Sequence, residues 1–282
     1  MASQLALLFL RRYGVPVVMK DIKQEFLDKG LGYIKGELSA LVSKGRMTKA
    51  KADHLFHITI GTLDWKDFAD CDFVIEAVFE EMPIKQQVFA QAEEVISPNC
   101  VLATNTSSLS VTEMASKLKN PERVVGFHFF NPVAVLPLLE IIKGEKTDEI
   151  TLATAFECAK KLKKNAILVK DSPAFLVNRI LTKLLTDCFQ MVEEGATFEQ
   201  VDEACLSLGL PMAPFELLAF VGTAVAYHVG ETCHKAWPER FPLNDRLQKM
   251  VEARIGNIYD GMGPGKKVNP KAKIEIPEVD FT

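Results

Sequence analysis

The sequence predicts an α/β domain with a doubly wound, mostly parallel sheet, followed by a smaller all-helical domain. Up to residue 171, short apolar segments of strand length alternate with longer segments of helical periodicity, the pattern of a parallel sheet covered on both faces. From residue 172 onward the patterns are helical until a Gly-, Pro- and Lys-rich end. An acidic residue, Asp21, closes the first strand-like segment.

Within the first domain, strands are predicted for the buried apolar runs and helices for the amphipathic ones. The predicted strands are 15–21, 57–62, 71–78, 100–107, 124–130, 138–144 and 165–171. The predicted helices are 2–13, 22–44, 48–55, 83–96, 111–118 and 149–163.

The change of pattern predicts three regions: an α/β domain at 1–171, a helical domain at 172–260 and an extended tail at 261–282. The helical domain opens with a long helix, 174–195, which ends at a glycine. The tail has the composition of a segment that cannot bury a core.

Composition excludes several classes of protein. With 48% hydrophobic and 25% charged residues and a net charge of −4, bulk charge does not indicate a nucleic-acid partner. The six cysteines are scattered without a Cys-x-x-Cys, which indicates reduced intracellular thiols and neither a disulfide framework nor a metal site. No apolar run reaches about 18 residues, so no membrane span is expected. We expect a cytoplasmic location if the protein is bacterial, and otherwise a mitochondrial or peroxisomal one.

Asp21 suggests a Rossmann-like dinucleotide fold. In such folds an acid at a strand end binds the ribose hydroxyls about 20 residues after a Gly-x-Gly-x-x-Gly loop. No such loop precedes Asp21, since the first glycine is Gly14. A solvated charge at a strand end explains Asp21 equally well. Glu80 and Lys85 follow the strand 71–78. Either they line a cofactor cleft at its carboxyl end, or Glu80 is an acid at a helix entry and Lys85 is an exposed lysine.

His128 and Glu140 lie on two predicted strands and are equidistant from Ala134 in the turn between them. If the strands pair antiparallel about Ala134, the two side chains are directly opposed, with Cβ atoms roughly 4.5–5.5 Å apart. The carboxylate would then fix the histidine tautomer and leave the other nitrogen to take a proton. A buried structural pair remains the alternative, because a buried carboxylate needs a partner in either case.

Ser107 ends the strand 100–107, and polar residues at the carboxyl ends of parallel strands face the ligand crevice. Alternatively, serines here cap the following helix near Val111, and we expect Ser108 or Ser110 to do so. Asn178 lies early in the helix 174–195, where asparagine is a poor helix former. We expect it either to make a specific hydrogen bond in the site or to face solvent.

Several segments together resemble one family, the L-3-hydroxyacyl-CoA dehydrogenases of fatty-acid β-oxidation. They are VIEAVFEEMPIKQQVF, ATNTSSLS, ERVVGFHFFNPV, LLEII, KDSPAFLVNRI and PMAPFELL. The resemblance covers about residues 1–258 and is closest to the dehydrogenase part of the multifunctional β-oxidation subunit. It implies NAD as the cofactor, acyl-CoA as the substrate, and a homodimer or a multifunctional β-oxidation assembly.

The resemblance also implies the role of each site residue. The catalytic residues are His128, Glu140, Ser107 and Asn178. The cofactor contacts are Asp21, Glu80, Lys85 and Ser107. The substrate contacts are Ser107, Asn131 and Asn178. His128 is the expected general base, which takes the proton of the 3-hydroxyl as hydride leaves, and Glu140 is expected to orient and charge it.

The start of the sequence departs from the family pattern. The family begins with a strand and a Gly-x-Gly loop, and this sequence opens just after them. We therefore expect Met1 to be an internal position of a longer chain. A non-catalytic or truncated family member with a structural or binding role is the alternative to a dehydrogenase.

Overall fold

Helices and strands alternate through the first 171 residues of the structure, a computed structural model that describes residues 1–260 and 267–272. The chain divides into two units, Met1–Asp171 and Ser172–Thr282. The elements of the first unit are α1 (Ala2–Arg12), β1 (Val17–Lys20), α2 (Gln24–Ser43), α3 (Lys49–His57), β2 (Thr59–Thr62), β3 (Phe73–Glu76), α4 (Met82–Glu93), β4 (Val101–Thr104), α5 (Val111–Ala115), β5 (Val124–Phe129), β6 (Leu138–Lys143), α6 (Glu149–Lys161) and β7 (Asn165–Lys170).

The strands of this unit form two sheets, with the orders β1-β2 and β3-β4-β5-β6-β7. Neighbouring strands are parallel except for β5 and β6, which are antiparallel. In the general doubly wound fold the strand order is 3-2-1-4-5-6. In that fold, one further strand separates the two positions that β1 and β3 of this chain occupy. No described residue forms that strand. The predicted Rossmann-like α/β class is confirmed, with the sheet in two parts.

Helix α1 contributes to the cores of both sheets because it is apolar on nearly all sides. Leu5 and Leu8 pack in one cluster with Phe127 of the five-stranded sheet. Leu7 and Leu10 pack in a second cluster with β1, α2 and α3. A helix that is apolar all round is normally buried. The run LALLFL follows this rule because it packs against the cores of both sheets.

Strand β5 is buried at every position, and it approaches β6 closely. Gly126 is the register partner of Ile142. A Cβ atom on Gly126 would lie 2.6 Å from the Cβ of Ile142, so only glycine permits this approach. The close pairing fixes the register of the two strands that carry His128 and Glu140.

The second unit is helical. Its helices are α7 (Val177–Glu193), α8 (Phe198–Ser207), α9 (Pro214–Val221), α10 (Thr223–Ala236) and α11 (Asp245–Glu252). Three aromatic rings, those of Phe189, Phe198 and Phe215, meet edge to face at the centre of its core, with centroids 4.9–6.5 Å apart. Aromatic rings favour this geometry because the positive edge of one meets the negative face of the next.

Residues 267–272 also pack into the second unit. Tyr259 forms an antiparallel bridge with Val268, and Ala272 is fully buried in the same core as Phe215. Residues 267–272 therefore pack against the core of the second unit, although the composition of the tail predicts a segment that cannot bury a core. The remainder of the predicted tail, 261–266 and 273–282, lies outside the described residues.

Within the described parts of the chain, no helix combines the length and the apolar character needed to cross a bilayer.

Candidate active site

His128 and Glu140 form a buried contact between β5 and β6. Nδ1 of His128 lies 2.7 Å from Oε2 of Glu140. The two residues are register partners in the antiparallel pair, and they are 4% and 0% exposed. The predicted pairing about Ala134 is confirmed.

This contact is suited to acid–base chemistry. When Glu140 accepts from Nδ1–H, the imidazole holds the tautomer whose Nε2 carries a lone pair, and the carboxylate stabilises the imidazolium that forms on protonation. The ring of Phe130 lies 4.6 Å from the imidazole, centroid to centroid. The histidine thus has both an orienting carboxylate and an apolar neighbour.

Ser107 lies in the loop after β4, and this loop is bound to Glu80. Oε1 of Glu80 accepts hydrogen bonds from the Thr106 hydroxyl (2.6 Å), the Ser107 amide (2.7 Å) and the Ser107 hydroxyl (3.0 Å). It also accepts from the amide of Ser108 at 3.2 Å. The structure therefore brings Ser107 and Glu80, two of the predicted site residues, together.

Lys85, the third member of this group, is 1% exposed. Its ammonium lies 2.6 Å from Oε1 of Glu76 and 3.2 Å from Oε2 of Glu80. Glu76 also accepts from the amide of Val78 (2.9 Å) and the hydroxyl of Thr104 (2.7 Å). The cofactor role of Lys85 stays a prediction, since in the structure its ammonium binds these two carboxylates.

Sequence reasoning missed Glu76 and Thr104 as members of this network. The available signal was a glutamate inside the apolar strand FVIEAV. A carboxylate buried in a strand must have a hydrogen-bonded or charged partner, and the lysine of the next helix was a candidate.

The loop that holds Ser107 is linked to the strand that holds His128. Oδ1 of Asn105 accepts from the amide of Phe129 at 3.0 Å. Because Asn105 is two residues before Ser107 and Phe129 follows His128, this bond joins the two groups of site residues at the carboxyl ends of β4 and β5.

At the other end of the loop, Ser110 caps α5 by accepting from the amide of Glu113. This confirms the prediction that one of the serines here is a helix cap. The hydroxyl of Ser110 donates to Asp171, which also accepts from the amides of Val111 and Thr112. The end of the Ser107 loop is therefore anchored to the last residue of the first unit.

The remaining predicted site residues are Asp21, Asn131 and Asn178. Asp21 is half-buried directly after β1, and its Oδ1 accepts from the amide of Ile22 at 2.7 Å. Asn131 is exposed in the turn after β5. Asn178 is half-buried in the first turn of α7, in the second unit. Their ligand contacts stay predictions. Among the described residues, no cluster of three or more His, Cys, Asp or Glu side chains could hold a metal ion.

Comparison with known proteins accounts for both units. The family model "3-hydroxyacyl-CoA dehydrogenase, NAD binding domain" matches residues 1–172, and "3-hydroxyacyl-CoA dehydrogenase, C-terminal domain" matches residues 175–258. Fatty acid oxidation complex subunit alpha of Pseudomonas syringae pv. tomato is 37% identical over 277 residues. That match covers 93% of this chain but only 38% of the relative's length.

Solved structures agree with the sequence matches. M. tuberculosis FadB2 superposes with a TM-score of 0.87 at 35% identity, covering 91% of this chain and 92% of that one. The 3-hydroxybutyryl-CoA dehydrogenase of Escherichia coli K12 gives a TM-score of 0.85 at 31% identity, over 91% of this chain and 55% of that one. Two family models that together span both units thus agree with the fold, and the chain belongs to the 3-hydroxyacyl-CoA dehydrogenase family.

Proposed function

We propose that this chain oxidises L-3-hydroxyacyl-CoA to 3-ketoacyl-CoA in fatty-acid β-oxidation, with NAD+ as the hydride acceptor. The observation that carries the proposal is the buried contact between His128 and Glu140. A histidine oriented by a carboxylate is the arrangement that a general base requires, and here it occurs in a member of a dehydrogenase family.

In the proposed reaction, Nε2 of His128 takes the proton of the 3-hydroxyl as the C3–H bond breaks and the C3–O bond becomes a carbonyl. Bound NAD+ supplies the acceptor for the hydride from C3. Glu140 stabilises the imidazolium as it forms, and burial strengthens this interaction because the surroundings screen charge poorly. Ser107, Asn131 and Asn178 are the proposed contacts to the substrate.

The described residues fit NAD at two places. Asp21 follows the carboxyl end of a parallel strand with its carboxylate oriented by the amide of Ile22, as ribose recognition requires. The Ser107 loop lies at the carboxyl end of β4 and carries hydroxyl groups held by Glu80. We propose that these residues hold the ribose and nicotinamide ends, with Lys85 acting through Glu80. The described residues before β1 include no Gly-x-Gly loop.

The relatives favour a role within a larger assembly. Two relatives, matched over 93% and 90% of this chain, are named as alpha subunits of fatty acid oxidation complexes. We propose that the chain acts either as a homodimer or as the dehydrogenase part of such an assembly. All six cysteines are free thiols, which favours a reducing compartment, the cytoplasm in a bacterium.

The test is a spectrophotometric assay of NADH formation by the protein from L- and D-3-hydroxyacyl-CoA. We expect NADH formation with the L isomer and little with the D isomer. Tight binding of NADH without turnover of either isomer would contradict the proposal and indicate a non-catalytic family member.

A further inference from the structure

We propose that Glu80 is a positioning residue for Ser107, and that the buried pair of Glu76 and Lys85 in turn holds Glu80 in place. This inference deepens the proposed function, and it rests on it for the assignment of Ser107 as a substrate contact. The side chains of Glu76, Lys85 and Glu80 need not contact the substrate to position Ser107.

Glu80 fixes both the backbone and the side chain of Ser107. A single oxygen, Oε1, accepts from the amide and the hydroxyl of Ser107 and from the amide of Ser108. Hydrogen bonds to a carboxylate are short and roughly twice as strong as those between neutral groups. Because the Ser107 hydroxyl donates to Glu80, its proton points at the carboxylate, which fixes the orientation of the hydroxyl group.

The other oxygen of Glu80 binds Lys85. The ammonium lies 3.2 Å from Oε2 of Glu80 and 2.6 Å from Oε1 of Glu76, with Lys85 and the Glu76 side chain almost completely buried. A buried ion pair is weak evidence for stability, since apolar residues of similar volume often serve as well. An ammonium anchored by one buried carboxylate and bound to a second, partly exposed one is well suited to orienting the second.

Glu76 is itself held on two sides. Its oxygens accept from the amide of Val78 and from the hydroxyl of Thr104. Thr104 is the last residue of β4, so the chain of contacts starts and ends on the segment that carries Ser107. The order of the contacts is Thr104 and Val78, then Glu76, Lys85, Glu80 and Ser107.

The charge of Glu80 also supports its role in positioning Ser107. Burial raises the pKa of Glu80, but the Lys85 ammonium, the Thr106 hydroxyl and the Ser107 amide outweigh burial and hold the pKa below its usual range. Glu80 is therefore an acceptor at neutral pH. Its protonation would give one oxygen a hydrogen and weaken its bonds to the serine loop.

The first test is amide hydrogen exchange at Ser107 and Ser108, measured by NMR for Glu80→Gln and for the exposed neighbour Glu81→Gln. We expect exchange at both amides to be about tenfold faster in Glu80→Gln, as when a bond to a charged acceptor becomes neutral, and unchanged in Glu81→Gln. We also expect kcat to fall about tenfold in Glu80→Gln alone. Equal exchange in the two variants would overturn the inference.

A second test separates Lys85 from Glu80. Lys85→Met alone leaves Glu76 without its counter-ion and can unfold the domain, so the neutral pair Glu76→Gln/Lys85→Met is used. We expect faster exchange at Ser107 and Ser108, with little further increase on adding Glu80→Gln, because contacting residues in one network are not additive. Wild-type exchange in the folded neutral pair, or full additivity with Glu80→Gln, would overturn the role of the buried pair.

The exchange measurements need neither substrate nor cofactor. If the wild-type protein fails to oxidise any 3-hydroxyacyl-CoA, the proposed function fails, and the exchange rates still decide whether Glu80 positions Ser107. A pH series adds a signature that simple loss of stability would not give. After correction for intrinsic exchange, protection at Ser107 should fall in the wild type as pH drops through the lowered pKa of Glu80, and should be flat in Glu80→Gln. A wild-type series as flat as that of the variant would overturn the inference.

Discussion

Nδ1 of His128 lies 2.7 Å from Oε2 of Glu140, on directly opposed positions of two antiparallel strands. Both side chains are buried, so the contact is little screened by water. Strand pairing, and not a flexible loop, sets the distance. A proton acceptor in this position is held in one orientation before substrate arrives, which is the property that the proposed oxidation requires.

Replacing the carboxylate should impair catalysis more than binding. For Glu140→Gln we expect kcat to fall by about 10²–10⁴-fold, because the amide stabilises the imidazolium poorly and does not enforce the required tautomer. The dissociation constant for NADH should change little. Steady-state assays with a parallel NADH fluorescence titration check this, with the exposed Glu145→Gln as the control. A kcat within a few-fold of the control would show that the pair is structural.

The approach of β5 to β6 should tolerate no side chain at Gly126. In Gly126→Ala the new methyl group would lie 2.6 Å from the Cβ of Ile142, so we expect a loss of about 1–3 kcal/mol in the free energy of unfolding. Urea denaturation followed by circular dichroism measures it. Gly36→Ala in α2, where the added methyl meets nothing within 4 Å, is the control and should be neutral or stabilising. Equal stability of the two variants would contradict the close packing.

Asp21 should contribute to binding of the cofactor and not to binding of the substrate. We expect Asp21→Asn to weaken NADH binding by about tenfold or more, because hydrogen bonds from the ribose hydroxyls to a charged acceptor become neutral ones. Acyl-CoA binding should be unchanged. Calorimetric titration of both ligands, with Asp53→Asn on the exposed side of α3 as the control, checks this. A comparable loss of both affinities would indicate that Asp21 supports the fold and not the cofactor.

Glu93 should make stability depend on pH. Burial raises its pKa, but the amides of Lys119 and Asn120 and the Arg123 guanidinium outweigh burial and lower it below the usual 4.5. Its stabilising contribution is therefore fully present above about pH 4.5 and is lost as pH falls through the lower folded-state pKa.

The measurement compares Glu93→Gln with the wild type in urea titrations from pH 7 to pH 3. The variant should be the less stable protein at pH 7, and the difference should shrink toward acid pH. A difference that is constant across the series would show that ionisation of Glu93 contributes nothing.

The features that the sequence predicted best are those determined by local residue patterns and by the symmetry of a strand pair. The alternation of strands and helices gave the fold class, and the position of Ala134 gave the opposition of His128 and Glu140. The cap at Ser110 followed from residue type and from the start of a helix. Each of these depends on residues that lie near one another in the chain.

The rest depended on contacts that periodicity does not encode. The network of Glu76, Lys85 and Glu80 joins a strand, a helix and a loop. Periodicity predicts that a lysine on an amphipathic helix is exposed, because it carries no information about the neighbours that the folded chain brings to that lysine. Val268 and Ala272 lie in a segment whose composition indicates a tail, yet they pack into the helical core. Helix α5 also ends at Ala115, three residues before its predicted end.

The most direct test of the proposed function is single-turnover NADH formation by His128→Ala at saturating L-3-hydroxyacyl-CoA and NAD+, with the exposed His57→Ala as the control. We expect a rate about 10²–10⁴-fold below wild type for His128→Ala, unchanged binding of both ligands, and a wild-type rate for the control. A His128→Ala rate within a few-fold of the wild type would contradict the assignment of His128 as the proton acceptor.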